Sequence, residues 1–225
     1  MPGSFLCWVK LAWLILAADI CETFRCSLKI CVPALLLADS DHIFMQSQYC
    51  SIIFIFGPSG VGKSSFGSYL SNHHNWLHLE IDIPNTNNVD IHEIQHHWSE
   101  YRNGNAAPLL SELNTRVKVL DRAGCVLTFR STDLLLNHEL EFTQEQGVAV
   151  TYFYGTAADC MFSFLQREDK QGGQRGLNHW LIHNQQSYFR MSLPDLSSYR
   201  INVFKPDGTR RQWDEVYRHI PLFNN

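Results

Sequence analysis

Residues 57–64 read Gly57-Pro58-Ser59-Gly60-Val61-Gly62-Lys63-Ser64, with three glycines ahead of an ammonium and a hydroxyl. Without Cβ atoms, the glycines let successive backbone N–H groups curl inward around an anion. A helix starting near Gly62 would aim its N-terminal amides and dipole at the same point. Lys63 would neutralise β- and γ-phosphate oxygens, and the Ser64 hydroxyl would ligate Mg²⁺. The expected ligand of Gly57–Ser65 is therefore the polyphosphate tail of a nucleoside triphosphate, ATP with Mg²⁺.

Six further side chains are placed where they could act with this loop. Asp82 falls near the carboxyl end of the second predicted strand, the edge at which ligands gather in open α/β sheets. A carboxylate there can hold the Mg²⁺ shell or accept the proton of an attacking hydroxyl. Glu80 shares its face but sits deeper in the strand. Arg130 follows the third strand, where its fork suits a phosphate or carboxylate on an acceptor. Arg102, with a weaker claim, lies in a helical insertion and is a second candidate for binding the acceptor. Arg167 and Arg175 flank Gly172, Gly173 and Gly176 in a polar stretch that reads as a mobile lid, whose arginines would neutralise transition-state charge. The pairs His73-His74 and His96-His97 are adjacent in sequence, so neither presents two metal ligands on one helix face.

The elements that must position these groups alternate between strand-like and helical patterns, which predicts a parallel sheet covered on both faces. Ser51–Phe56 is a continuous β-rich run, as expected of a central buried strand. Trp76–Ile83 alternates apolar residues with His78, Glu80 and Asp82 and reads as a strand with one polar face. Helices are predicted over Ile91–Tyr101 and Leu109–Ala123, then a strand over Cys125–Phe129. A helix capped by Ser131 or Thr132 would end at Gly147. A strand at Val148–Tyr154 leads to a helix opened by Thr156 and Asp159, and the predicted lid spans residues 167–178. A helix to Arg190, a strand at Tyr199–Phe204, a Pro206-Asp207-Gly208 turn and a helix near Gln212–His219 complete the chain.

A net charge of −4 over 225 residues gives no general attraction to nucleic acid or anionic membranes. The first 44 residues differ from the rest: their apolar runs, Leu11–Ala18 and Ile30–Ala38, are too short to span a bilayer. They read as an N-terminal extension, a weak signal or a segment upstream of a start at Met45, leaving residues 45–225 as the domain. No Cys-x-x-Cys pair occurs, and Cys50, Cys125 and Cys160 read as isolated thiols of a reducing, cytoplasmic compartment.

Over Ser51–Ile220 the chain resembles the small P-loop kinases: nucleoside monophosphate kinases, shikimate kinase and gluconate kinase. Gly57–Ser65 is worded much as in guanylate kinase, the acid ending the second strand is similar to shikimate kinase, and Gly104…Pro108-Leu109 with Arg167…His179-Trp180 resembles gluconate kinase. Guanylate kinase's guanine-binding signatures are absent after Asp82, and Arg130-Ser131-Thr132 replaces shikimate kinase's glycine triplet. Phe129 stands where motor ATPases and switch GTPases carry an aspartate. The resemblance implies a three-layer α/β/α P-loop NTPase fold, a five-stranded parallel sheet of order 2-3-1-4-5 and a mobile lid. It also implies a base pocket lined by Lys205–Gly208 and phosphoryl transfer from ATP to a small-molecule acceptor by a monomer or homodimer. The alternatives are a nucleoside monophosphate kinase, in which Arg130 and Arg102 would converge on the acceptor phosphate, and a nucleotide-binding regulatory module without turnover.

Overall fold

Alternate residues of one strand feed two separate cores. β1 (Ser51–Phe56) sends Ile52, Phe54 and Phe56 into one layer and Ile53 and Ile55 into the other, all essentially inaccessible to solvent. A run that is apolar at every position is what a strand buried on both faces requires. The computed structural model describes residues 50–81, 89–173, 175–191 and 193–223. The first 44 residues lie outside that set.

The sheet is parallel throughout, in the order β2-β3-β1-β4-β5, as expected. β2 is Trp76–Glu80, β3 Gly124–Thr128, β4 Ala149–Tyr154 and β5 Arg200–Asn202. One face carries α2 (Val89–Arg102) and α3 (Ala107–Val119), whose Trp98, Tyr101, Leu109, Leu110 and Leu113 pack on Phe54 and its neighbours. Phe54 meets the edges of Trp98 and Tyr101 at centroid distances of 5.5 Å, an arrangement aromatic quadrupoles favour. The other face carries α1 (Lys63–His74), α5 (Ala157–Lys170) and α7 (Trp213–Arg218), through Phe66, Leu70, Phe164 and Val216. The result is the expected three-layer α/β/α P-loop fold. Among the described residues no helix is long and apolar enough to cross a membrane.

Two local expectations are corrected. The helix after β3, α4, runs Asn137–Glu145 and does not start at Ser131 or Thr132. The Ser131 hydroxyl is spent on the His183 carbonyl at 3.1 Å and on Ser59 at 3.3 Å, so it cannot cap a helix. Glu139 caps α4 by accepting the Leu136 N–H at 2.6 Å. The segment expected to form a lid is also shorter than predicted. α5 continues through Arg167 to Lys170 and α6 (Leu177–Met191) begins at once, leaving only residues 171–176 between them.

The polar face of β2 turns inward. His78 lies on Gly67 of α1, where a Cβ would come within 2.7 Å of the imidazole Cε1, and its Nε2 is 3.1 Å from the Thr128 hydroxyl. Burial lowers its pKa to about 4. The unfolded chain therefore takes up this proton first as pH falls, through the ordinary value near 6.5. The contribution to stability is whole above about pH 6.5 and is lost between there and about pH 4, amounting to at most about 3 kcal/mol. Urea midpoints at pH 7 and pH 4.5 test this: the parent should lose about 2 kcal/mol more than His78→Gln, and equal losses would refute it.

Candidate functional site

β1 delivers the chain at Gly57 and α1 takes it away at Lys63, so the glycine-rich segment is a short bridge between two rigid elements. Ser59, Gly60, Gly62, Lys63, Ser64 and Ser65 line a cavity of about 960 Å³. Pro58 and Val61 are buried behind them, with Val61 in the core of the α1 face. The Lys63 side chain is only 7% exposed, and its ammonium donates to the carbonyls of Gly57 at 2.8 Å and Pro58 at 3.1 Å. It is thus fixed across the loop at the cavity floor. Ser64, in the first turn of α1, lies beside it.

Of the other predicted residues, Arg130, Arg167 and Arg175 also line the cavity, and so does Glu80 at the end of β2. Asp82 lies outside the described residues. Arg102 is not brought in. It forms a bidentate pair with Glu139, at 2.7 and 3.1 Å, and bonds the Leu134 carbonyl at 3.4 Å, tying α2 to α4. A guanidinium committed to a buried carboxylate secures the scaffold. This corrects the expectation that it reaches an acceptor.

Arg167 and Arg175, expected in a lid, are organised by a buried carboxylate that no local pattern singles out. Glu168, 4% exposed, accepts two hydrogen bonds from Arg175, at 2.9 and 2.7 Å, and one from Arg167 at 3.4 Å. Both guanidiniums lie near the Phe164 ring, at 5.8 and 5.3 Å. Burial alone would raise the Glu168 pKa, but the hydrogen bonds and charge of Arg175 and then Arg167 outweigh it and hold the carboxyl below its usual range. The two cations thereby stay together at one wall of the cavity.

α6 docks on the apex of the loop. Asn184 accepts the Ser59 N–H at 2.6 Å, Trp180 donates its indole N–H to the Ser59 carbonyl at 3.0 Å, and Ser187 bonds the Ser131 carbonyl. One turn apart on this helix, His179 and His183 face the cavity with ring centroids 4.2 Å apart. Burial, then the neighbouring His183 and Arg175, push His179 below the usual imidazole range, partly offset by Glu168. The spacing of Trp180, Asn184 and Ser187 marks one face of a helix, but only the fold reveals that the face meets the loop.

No family model and no curated protein matches this sequence. Among solved structures, a gluconokinase from Sinorhizobium meliloti is 14% identical, with 78% of this chain and 93% of that one aligned and a TM-score of 0.42. The Deinococcus radiodurans tunicamycin resistance protein is 12% identical over 77% and 96% of the two chains, with a TM-score of 0.42. Shikimate kinase from Acinetobacter baumannii is 18% identical over 78% and 93%, with a TM-score of 0.38. Each of these likenesses is one of fold alone.

Proposed function

We propose that this protein is an ATP-dependent phosphotransferase that acts on a small-molecule acceptor. The observation that carries the reading is one cavity in which the loop with Lys63 and Ser64 meets Glu80, Arg130 and two lid arginines. Such a set suits phosphoryl transfer, where catalysis is mostly positioning and charge neutralisation. Lys63 would hold the β- and γ-oxygens from the floor, and Arg167 and Arg175 would meet the equatorial oxygens from the wall. Arg130 would orient the acceptor, and Asp82 would take the proton of its hydroxyl.

The donors also suit Mg²⁺, which wants hard oxygen ligands and usually takes only one or two from protein. The Ser64 hydroxyl and the Glu80 carboxylate line the same cavity, and Asp82 follows two residues later. Held there by Ser64 and the neighbouring carboxylates, the ion would supply positive charge against the charge that develops on the phosphate.

A nucleoside monophosphate acceptor would call on Arg102 and Arg130 together. Arg102 is held by Glu139, which favours an acceptor other than a monophosphate. The test is a coupled assay for ADP with Mg-ATP against separate panels of sugars, hydroxy acids and nucleoside monophosphates. Acceptor-dependent ADP with a sugar or hydroxy acid is the expected result. Activity only with monophosphates would establish the rival kinase. Saturable ATP binding with no acceptor-dependent release would establish a regulatory module.

A further inference from the structure

Against the loop, and not among the residues that line the cavity, stands a charged residue that the proposed chemistry does not use. Arg210 follows the Lys205–Gly208 turn and is bridged to Phe204 in antiparallel fashion. Its guanidinium donates to the Val61 carbonyl at 2.7 Å and to the Gly60 carbonyl at 2.9 Å. It lies between the rings of Phe204 and Trp213, at 5.0 and 5.4 Å from their centroids. The fit is tight: a Cβ on Gly62 would fall 2.9 Å from the Trp213 ring and closer still to Arg210 Nη1. Gly62 also has φ +97°, a conformation that side chains resist.

The consequence follows from peptide geometry. In a trans peptide the C=O and the next residue's N–H point in opposite directions across one rigid plane. A carbonyl fixed backward therefore fixes the following amide forward. By holding the Val61 carbonyl, Arg210 turns the Gly62 N–H away from itself; by holding the Gly60 carbonyl, it sets the plane that carries the Val61 N–H. The Val61 amide makes only a long turn contact of 3.4 Å to the Pro58 carbonyl. A fork is needed because two adjacent carbonyls must be met at once, which suits guanidinium better than ammonium.

We infer that Arg210 is a positioning residue that clamps the Gly60 and Val61 carbonyls, keeps the following amides of Val61 and Gly62 aimed at bound phosphate, and joins this loop to the turn after β5. The phosphate part of this inference rests on the nucleotide reading above, whereas the clamp itself does not.

The experiment compares the parent, Arg210→Met and Arg210→Lys as full-length protein, with two readouts. Amide hydrogen exchange over residues 57–66, without nucleotide, reports the clamp. Calorimetric titration with Mg-ATP and with inorganic tripolyphosphate reports its use. Exchange should quicken in Arg210→Met, and both ligands should weaken by the same factor, roughly 30-fold, as expected for the loss of two charge-assisted hydrogen bonds. Arg210→Lys, which keeps the charge and the stack on Trp213, should recover part of both effects, and it stands in if the Met variant does not fold. Unchanged exchange overturns the clamp, and faster exchange with unchanged affinities overturns its role in phosphate binding. Faster exchange in a protein whose parent binds neither ligand upholds the clamp and refutes the nucleotide reading.

Discussion

Lys63→Ala is expected to lower kcat/KM for ATP-dependent phosphoryl transfer by roughly a thousandfold or more while the fold persists. The ammonium sits at the floor of the cavity, almost wholly buried, and is held to the carbonyls of Gly57 and Pro58. A charge fixed and buried beside the phosphate site acts strongly on oxygens that gain charge during transfer, and it needs no reorganisation as it acts. Removing it should weaken Mg-ATP binding and slow the chemical step together. The carbonyls it leaves belong to a loop open to cavity water, so the loss of stability should be about 1 kcal/mol. Circular dichroism and the urea midpoint check the fold, and initial rates check the chemistry. Turnover at the parent rate in a folded Lys63→Ala protein would remove the basis for the proposed function. Lys63→Arg sharpens the test: it keeps the charge but brings a bulkier planar group between those two carbonyls, so partial activity is expected.

The features legible in the sequence were those that a segment determines by itself. Ser51–Phe56 is apolar at every position after Ser51 and became the central strand, and the glycine-rich loop follows it directly. The alternation of strands and helices sufficed for a parallel sheet covered on both faces, and the resemblance to small P-loop kinases implied its order. Features that depend on a distant partner were misread. Ser131 has the composition of a helix cap, yet α6 claims its hydroxyl and Glu139 supplies the cap. Residues 167–170 look like a solvated loop, yet they continue a helix because Glu168 turns inward to meet two arginines. Arg102 carries a charge suited to an acceptor, but which anion it meets was decided by the packing of α2 against α4. Arg210 is 150 residues from the carbonyl it holds, and no local pattern announces such a bond.

The second large effect comes from a pair of glycines that share a backbone conformation and differ in surroundings. Gly60 and Gly104 have φ of +87° and +89°. Alanine at either position bears the strain of a left-handed conformation, about 1 kcal/mol. At Gly104 a Cβ would meet nothing within 4 Å, so Gly104→Ala should cost that strain alone. At Gly60 the Cβ would lie 2.9 Å from the Phe164 backbone nitrogen and closer still to the Cys160 carbonyl oxygen. Both atoms belong to the backbone of α5, and neither can swing aside as a long side chain would. Relief must come from moving α5 off the loop, which separates Phe164 from the core it shares with Phe66 and Phe153. Gly60→Ala should therefore cost about 4 kcal/mol and shift the arginines at the end of α5 away from Lys63. Urea unfolding of the two variants measures the difference directly, since the conformational strain is common to both. Equal losses would mean that the loop and α5 are not packed as closely as the structure shows; a gap of about 3 kcal/mol would mean that the glycine at position 60 is required by the helix packed against it as well as by its own left-handed backbone.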